Sequence, residues 1–113
     1  MVIIQVAIGG AIGAVLRYGV GLLVVFPLGT LAVNVVGSFL MGLAFVLLST
    51  RAGAPFLMAG LLGGFTTFSA FSLDVFKLFE AGRLAAAGGY VAGSVVLSVA
   101  AVFLGIAIAR GLA

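Results

Sequence analysis

A few polar side chains, spaced regularly within a very apolar sequence, set the chemistry open to this chain. Thr30, Asn34 and Ser38 follow one another at i, i+4, and so do Tyr90, Ser94 and Ser98. That spacing stacks each trio on one face of a helix. Hydroxyl and carboxamide groups donate hydrogen bonds without carrying charge. Arg17 is a cation deep inside an apolar run. The segment Gly60-Leu61-Leu62-Gly63-Gly64-Phe65-Thr66-Thr67-Phe68-Ser69-Ala70-Phe71-Ser72 adds adjacent glycines and a Thr-Thr pair, which predict a helix break, followed by two aromatics at i, i+3. Unwound backbone at membrane depth is tolerated where it is buried in protein or lines a cavity, and there its carbonyls can bind a cation. An aromatic ring has a positive edge and a negative face, so the edges of Phe68 and Phe71 can line an anion path. Two readings fit these stripes. In one, the hydroxyls bond back to their own helices or join neighbouring helices, and the rings pack a core. In the other, they form a polar track for a solute.

What is missing narrows the choice. The chain has no His and no Cys, which removes thiolate metal sites, thiol nucleophiles and the usual proton shuttle near neutral pH. The two acids, Asp74 and Glu80, fall in one charged stretch read as a membrane edge, so no catalytic constellation remains. The expectation is a protein that is not an enzyme. A proton-coupled transporter carries Asp, Glu or His in the membrane interior, and the first, second and fourth apolar stretches have none. Passive conduction follows. Neutral donors with one intramembrane Arg suit an anion, and a bundle this short has room only for a small one. A small four-span multidrug exporter would need a Glu in its first helix, where this chain has Arg17. A non-transporting assembly or holin-like protein would use the same stripes as helix glue. Transport by the purified chain separates these alternatives.

The elements that must position these residues are membrane spans. Of 113 residues, 65% are hydrophobic and 6% charged, far below the roughly 25% charged residues of a water-facing domain. Disorder needs the opposite composition. A transmembrane helix takes about 20 apolar residues, and the punctuation divides the chain into stretches of approximately 2–25, 28–49, 54–73 and 84–109, within one domain spanning 1–113. Strands are disfavoured because barrel spans alternate apolar and polar residues. The start, MVIIQVAIGG, lacks a charged n-region and reads as a first span, not a leader. Gly9/Gly13, Gly60/Gly64 and Gly89/Gly93 are small-xxx-small pairs that suit close helix packing. The net charge of +3 comes from scattered basic residues, which read as membrane-edge anchors without a nucleic-acid face. With four spans, Arg51 and Arg110 share one side, opposed by Lys77 and Arg83. This balance gives the positive-inside rule little to act on. A dual-topology chain, pairing with an inverted copy, is the resulting hypothesis.

Three pieces of sequence then match a known pattern: Gly9-Gly10-x-x-Gly13-Ala14-x-x-Arg17-Tyr18, Gly29-Thr30-Leu31-x-Val33-Asn34-x-x-Gly37-Ser38-Phe39, and Gly63-Gly64-Phe65-Thr66-Thr67-Phe68-Ser69-x-Phe71-Ser72. In order and spacing the chain resembles the Fluc (CrcB) fluoride channels, from its first helix through its fourth. The resemblance implies an all-α, multi-pass protein of the cell membrane. It implies four helices per subunit, the third broken mid-membrane, and a dual-topology antiparallel homodimer with two pores. The implied function is passive, fluoride-selective conduction that exports cytoplasmic fluoride and protects against its toxicity. A structural sodium ion, not transported, is implied at the dimer centre on the backbone carbonyls of Gly63 and Thr66 from both subunits. The resemblance places Phe68, Phe71, Asn34, Thr30, Tyr90, Ser94 and Ser98 along the fluoride pore. It places Arg17 at the pore entrance or in a structural role.

Overall fold

A computed structural model describes residues 1–112. Among these, four helical segments are long and apolar enough to cross a membrane, and no strand occurs. They make the chain a multi-pass membrane protein. Helix α1 spans Val2–Leu23 and α2 spans Leu28–Leu47. The third segment, Pro55–Glu80, is composite. It begins as α3, wound as a π-helix over Pro55–Leu62 and continued by one α-turn over Gly63–Phe65. It resumes as α4 over Phe68–Glu80, and α5 spans Leu84–Leu112. At about 1.5 Å per residue, the 22 residues of α1 reach roughly 33 Å, enough for the hydrocarbon core of a bilayer. The third segment runs past 73 to Glu80 and so takes in the first acid of the sequence, Asp74.

Helices α1, α2 and α5 are apolar nearly all round, so the side chains left outside the bundle are large and greasy. Ile3, Leu23 and Phe103 are all exposed. In water such a surface would aggregate; in a bilayer it is the solvated surface. Cohesion comes instead from close backbone approach. Helix α1 packs along α3, and α2 along α5. A Cβ on Gly9 would strike the Phe56 carbonyl, and one on Gly64 would lie 2.6 Å from the Gly10 carbonyl. Gly42 and Gly105 make the equivalent crossing between α2 and α5. The Gly9/Gly13 and Gly60/Gly64 pairs thus face each other. Gly89 and Gly93 do not take part, because nothing within this subunit lies within 4 Å of a Cβ at either.

A smaller core closes the other end of the bundle, where Phe71 and Leu78 of α4 pack against Ala87 and Tyr90 of α5. The turn into α5 sets this geometry. Gly82 has φ +77°, a left-handed value that glycine adopts without a Cβ penalty. The Gly82 N–H donates to the Phe79 carbonyl and the Arg83 N–H to the Leu78 carbonyl, both at 3.0 Å. This pairing is a Schellman motif, and it stops α4 sharply.

Candidate functional site

The polar residues converge on the point where the third segment changes direction. Gly63 is fully helical, with φ −63° and ψ −37°, and Gly64 lies in the same turn. The chain leaves the helix at the threonines: Thr66 has φ −86°, ψ 157° and Thr67 φ −155°, ψ 127°. Of the Gly63-Gly64 and Thr66-Thr67 pairs on which the sequence suggested a break, Gly64 is used for close approach to α1, and the helix is left at the threonines. The extended residues are the threonines: Thr66 N–H still donates to the Leu62 carbonyl at 3.0 Å, and Asn34 satisfies the Thr67 backbone.

That hydrogen bonding can be followed atom by atom. In a continuous helix the Thr67 N–H would donate to the Gly63 carbonyl and the Ala70 N–H to the Thr66 carbonyl. Here Thr67 N–H donates to Asn34 Oδ1 at 2.8 Å, and Asn34 Nδ2 donates to the Thr67 carbonyl at 3.0 Å. Ala70 N–H donates to Thr67 Oγ1 at 3.1 Å, which makes Thr67 the N-cap of α4. The Gly64 carbonyl accepts from Arg17 Nε at 3.2 Å. Thr66 Oγ1 bonds back to the Leu62 carbonyl at 3.0 Å. Gly63 and Thr66 are thus the carbonyls whose helical donors have been diverted.

Beside this interruption lies a cavity of about 500 Å³. Helix α2 contributes Asn34 and Ser38, the third segment Gly63, Thr66, Phe68 and Phe71, and α5 contributes Ser94 and Ser98. Phe68 and Phe71 have ring centroids 5.4 Å apart and tilted by 49°. Phe71 continues the aromatic run to Tyr90 at 5.2 Å. Phe71 is 7% exposed and Phe68 76%, so one ring is set in the core while the other faces outward. Ser94 is buried, yet its hydroxyl has no hydrogen-bond partner within the described residues. Such groups are rare in folded proteins.

Three of the residues singled out from the sequence lie away from the cavity wall. Thr30 sits one turn before Asn34 and is half-buried. Arg17 stands on α1 behind the interruption, bonded to it through Gly64. Tyr90 is buried and donates to Asp74 Oδ2 at 3.0 Å. Asp74 has a contact that the sequence reading did not foresee: it lies buried in α4 against Tyr90. Its spacing carried the signal: Phe71, Asp74 and Leu78, at i, i+3 and i+7, form the buried face of α4. Helices one, two and four still carry no carboxylate, but the third segment does.

A family profile described as "CrcB-like protein, Camphor Resistance (CrcB)" matches residues 4–106. The chain belongs to this family. Among curated CrcB-family relatives, a protein of Paracoccus denitrificans (strain Pd 1222) is 56% identical over 96% of this chain and 94% of its own length. One from Agrobacterium fabrum (strain C58 / ATCC 33970) is 52% identical over 95% and 94%, respectively. One from Rhizobium etli (strain ATCC 51251 / DSM 11541 / JCM 21823 / NBRC 15573 / CFN 42) is 54% identical over the same shares. Each of these relatives is named "Fluoride-specific ion channel FluC". The CrcB match takes in the interrupted segment, the cavity and both aromatic rings.

Proposed function

We propose that this chain is a passive fluoride channel that lets cytoplasmic fluoride leave the cell. The observation that carries the reading is the unpartnered Ser94 hydroxyl in the wall of a cavity shared with Phe68, Phe71 and Ser98. The names of the close relatives point the same way. Fluoride is small and strongly hydrated, so a selective path must replace its water with closely placed donors. Buried hydroxyls do this without the trapping charge of a cation. Where hydroxyls run out, the weakly positive ring edges of Phe68 and Phe71 continue the path. Chloride, larger and less hydrated, is excluded by width. HF enters cells uncharged and dissociates in the more neutral cytoplasm. A negative-inside potential then favours exit of the anion by about 2.3 kcal/mol per 100 mV, so neither ATP nor a coupling ion is required.

The working unit in this reading is an antiparallel homodimer in the cell membrane, with two pores between the subunits. The outward-facing Phe68 ring and the open small-residue face at Gly89 and Gly93 support a second copy covering this side. The balance of basic residues between the two sides supports insertion in both directions. The third segment is then broken inside the bilayer at Thr66 and Thr67. The donor set there fits a hard cation, because neutral carbonyl oxygens are its preferred ligands. Gly63 and Thr66 of both subunits would hold sodium, which supplies a fixed positive charge at the centre of the dimer.

Liposomes containing only the purified chain should release fluoride rapidly and retain chloride, under a potassium gradient with valinomycin. Fluoride release no faster than from empty liposomes would remove the channel reading and favour a non-transporting assembly. For topology, a Cys introduced near the N-terminus should react with a membrane-impermeant maleimide from both faces of the membrane. Labelling from one face alone would replace the homodimer with a pair of oppositely inserted sister chains.

A further inference from the structure

The interruption at Thr66 and Thr67 is not a failure of the helix to form. The residues before it are helical, the residues after it are helical, and the weak helix propensity of Thr favours a break without enforcing one. What makes the interruption possible is a side chain from another element. Asn34, on α2, takes both polar atoms of one residue: its Oδ1 accepts from Thr67 N–H at 2.8 Å and its Nδ2 donates to the Thr67 carbonyl at 3.0 Å. An adjacent β-strand satisfies a residue in the same way. In apolar surroundings each unsatisfied backbone group would cost several kcal/mol, so the extended Thr67 depends on this pairing.

The carboxamide orientation follows from the same pair of bonds. Thr67 N–H can meet only an acceptor and the Thr67 carbonyl only a donor, so Oδ1 and Nδ2 are fixed by their partners. Only one of the two Nδ2–H groups is used on the Thr67 carbonyl, so the clasp leaves Asn34 a single N–H for any other partner. Asn34 and Thr67 both line the cavity, so the place of Asn34 on that wall is shared with a structural task.

We infer that Asn34 is a positioning residue for the cation site: by holding the Thr67 peptide out of helical register, it keeps the Gly63 carbonyl free of its helical donor and, through the Thr67 cap, the Thr66 carbonyl as well. This inference rests on the sodium reading given above. Without Asn34 the Thr67 N–H returns to the Gly63 carbonyl and competes with the cation for that oxygen. Thr67 then loses the extended conformation from which its hydroxyl caps Ala70 N–H, and the Thr66 carbonyl regains its own donor. Arg17 acts on the neighbouring Gly64 carbonyl, which it occupies and so sets apart from the other two.

The purified full-length channel is compared with Asn34→Ala in two assays, with N-methylglucamine replacing sodium. One is thermal unfolding across a sodium titration; the other is fluoride efflux at low and high sodium. Wild-type protein should gain thermal stability with sodium, and Asn34→Ala should need roughly tenfold more for half the gain, the change expected from losing one or two hydrogen bonds. Fluoride efflux by Asn34→Ala should be depressed at low sodium and restored toward wild type at high sodium. Efflux lowered equally at every sodium concentration, with an unshifted titration, would overturn the inference and make Asn34 a direct contact for the ion. A wild type with no sodium response would instead remove the cation reading on which it rests. Should Asn34→Ala fail to assemble, Asn34→Ser, whose hydroxyl is too short to span both peptide atoms, is expected to show the same shift. Hydrogen exchange supplies a readout that needs no variant. In wild type the Thr67 amide should stay protected after sodium is removed, because its partner is Asn34. Rapid exchange at that amide overturns the clasp.

Discussion

Phe71→Ile should assemble as the wild type does and conduct fluoride at least about tenfold more slowly, a loss equivalent to about 1.4 kcal/mol on the barrier. The expectation separates two things a phenylalanine supplies. One is bulk: Phe71 is 7% exposed and packs with Leu78, Ala87 and Tyr90. Isoleucine keeps most of that bulk, losing the ring contacts with Phe68 and Tyr90, each worth about 0.5–1.5 kcal/mol. The other is the ring's charge distribution, with its positive edge, which isoleucine lacks. Phe68 makes the comparison cleaner. It is 76% exposed in one subunit and contributes little to that subunit's core, so Phe68→Ile should leave the fold of each subunit unchanged while lowering fluoride efflux per dimer by a similar factor. Efflux from proteoliposomes, normalised to incorporated dimer, gives the measurement. If both variants conduct normally, the rings pack the protein and the anion path runs elsewhere. If both lose dimer in proportion to flux, they belong to the interface.

Much of the fold could be read in composition, because an apolar chain of this length has few ways to satisfy its backbone other than as spanning helices. The four apolar stretches coincide broadly with the four long helical segments. What could not be read depends on partners distant in sequence. The glycine pair Gly63 and Gly64 looks like a break when considered alone, since glycine is the weakest helix former apart from proline. In place, Gly64 is pressed against Gly10, and the helical path survives there. The chain leaves the helix at Thr66 and Thr67 because Asn34, thirty-three positions before Thr67, supplies the hydrogen bonds of the Thr67 N–H and carbonyl. No local window contains that information.

The same distinction applies to the site. Spacing alone grouped Asn34 with Ser38 and Ser94 with Ser98, and these four meet at one cavity. Spacing also grouped Thr30 and Tyr90 with them, but those two lie off the cavity wall. For Tyr90 the reason is visible: its hydroxyl is drawn to Asp74, a residue that a count of charges placed at an edge. A buried acid hidden in a charged run is legible only once the helix is known to continue through that run, with Phe71, Asp74 and Leu78 on its inner face.

Replacing Gly13 by valine should prevent the protein from accumulating in the membrane, the largest effect on assembly expected of any single substitution considered. A Cβ at Gly13 would strike the Leu61 carbonyl and lie 2.7 Å from the Phe65 N. Both obstacles are backbone, so no rotamer change relieves them; α1 and α3 would have to separate. Overpacking in a well-packed interior typically costs about 1–3 kcal/mol when side chains can adjust, and here they cannot. Separation would also pull Arg17 from the Gly64 carbonyl, a bond of 3.2 Å. The residual structure would then lose one of the groups that hold the interrupted segment. Gly19 on the same helix provides the control. Nothing lies within 4 Å of a Cβ there, and Gly→Ala in a helix gains roughly 1 kcal/mol of propensity, so Gly19→Ala should accumulate at least as well as wild type. The measurement is the yield of detergent-extracted, monodisperse protein and its unfolding midpoint. Normal yield of Gly13→Val would mean that α1 does not press against α3 at this crossing. The route by which Arg17 reaches Gly64 would then have to be redrawn.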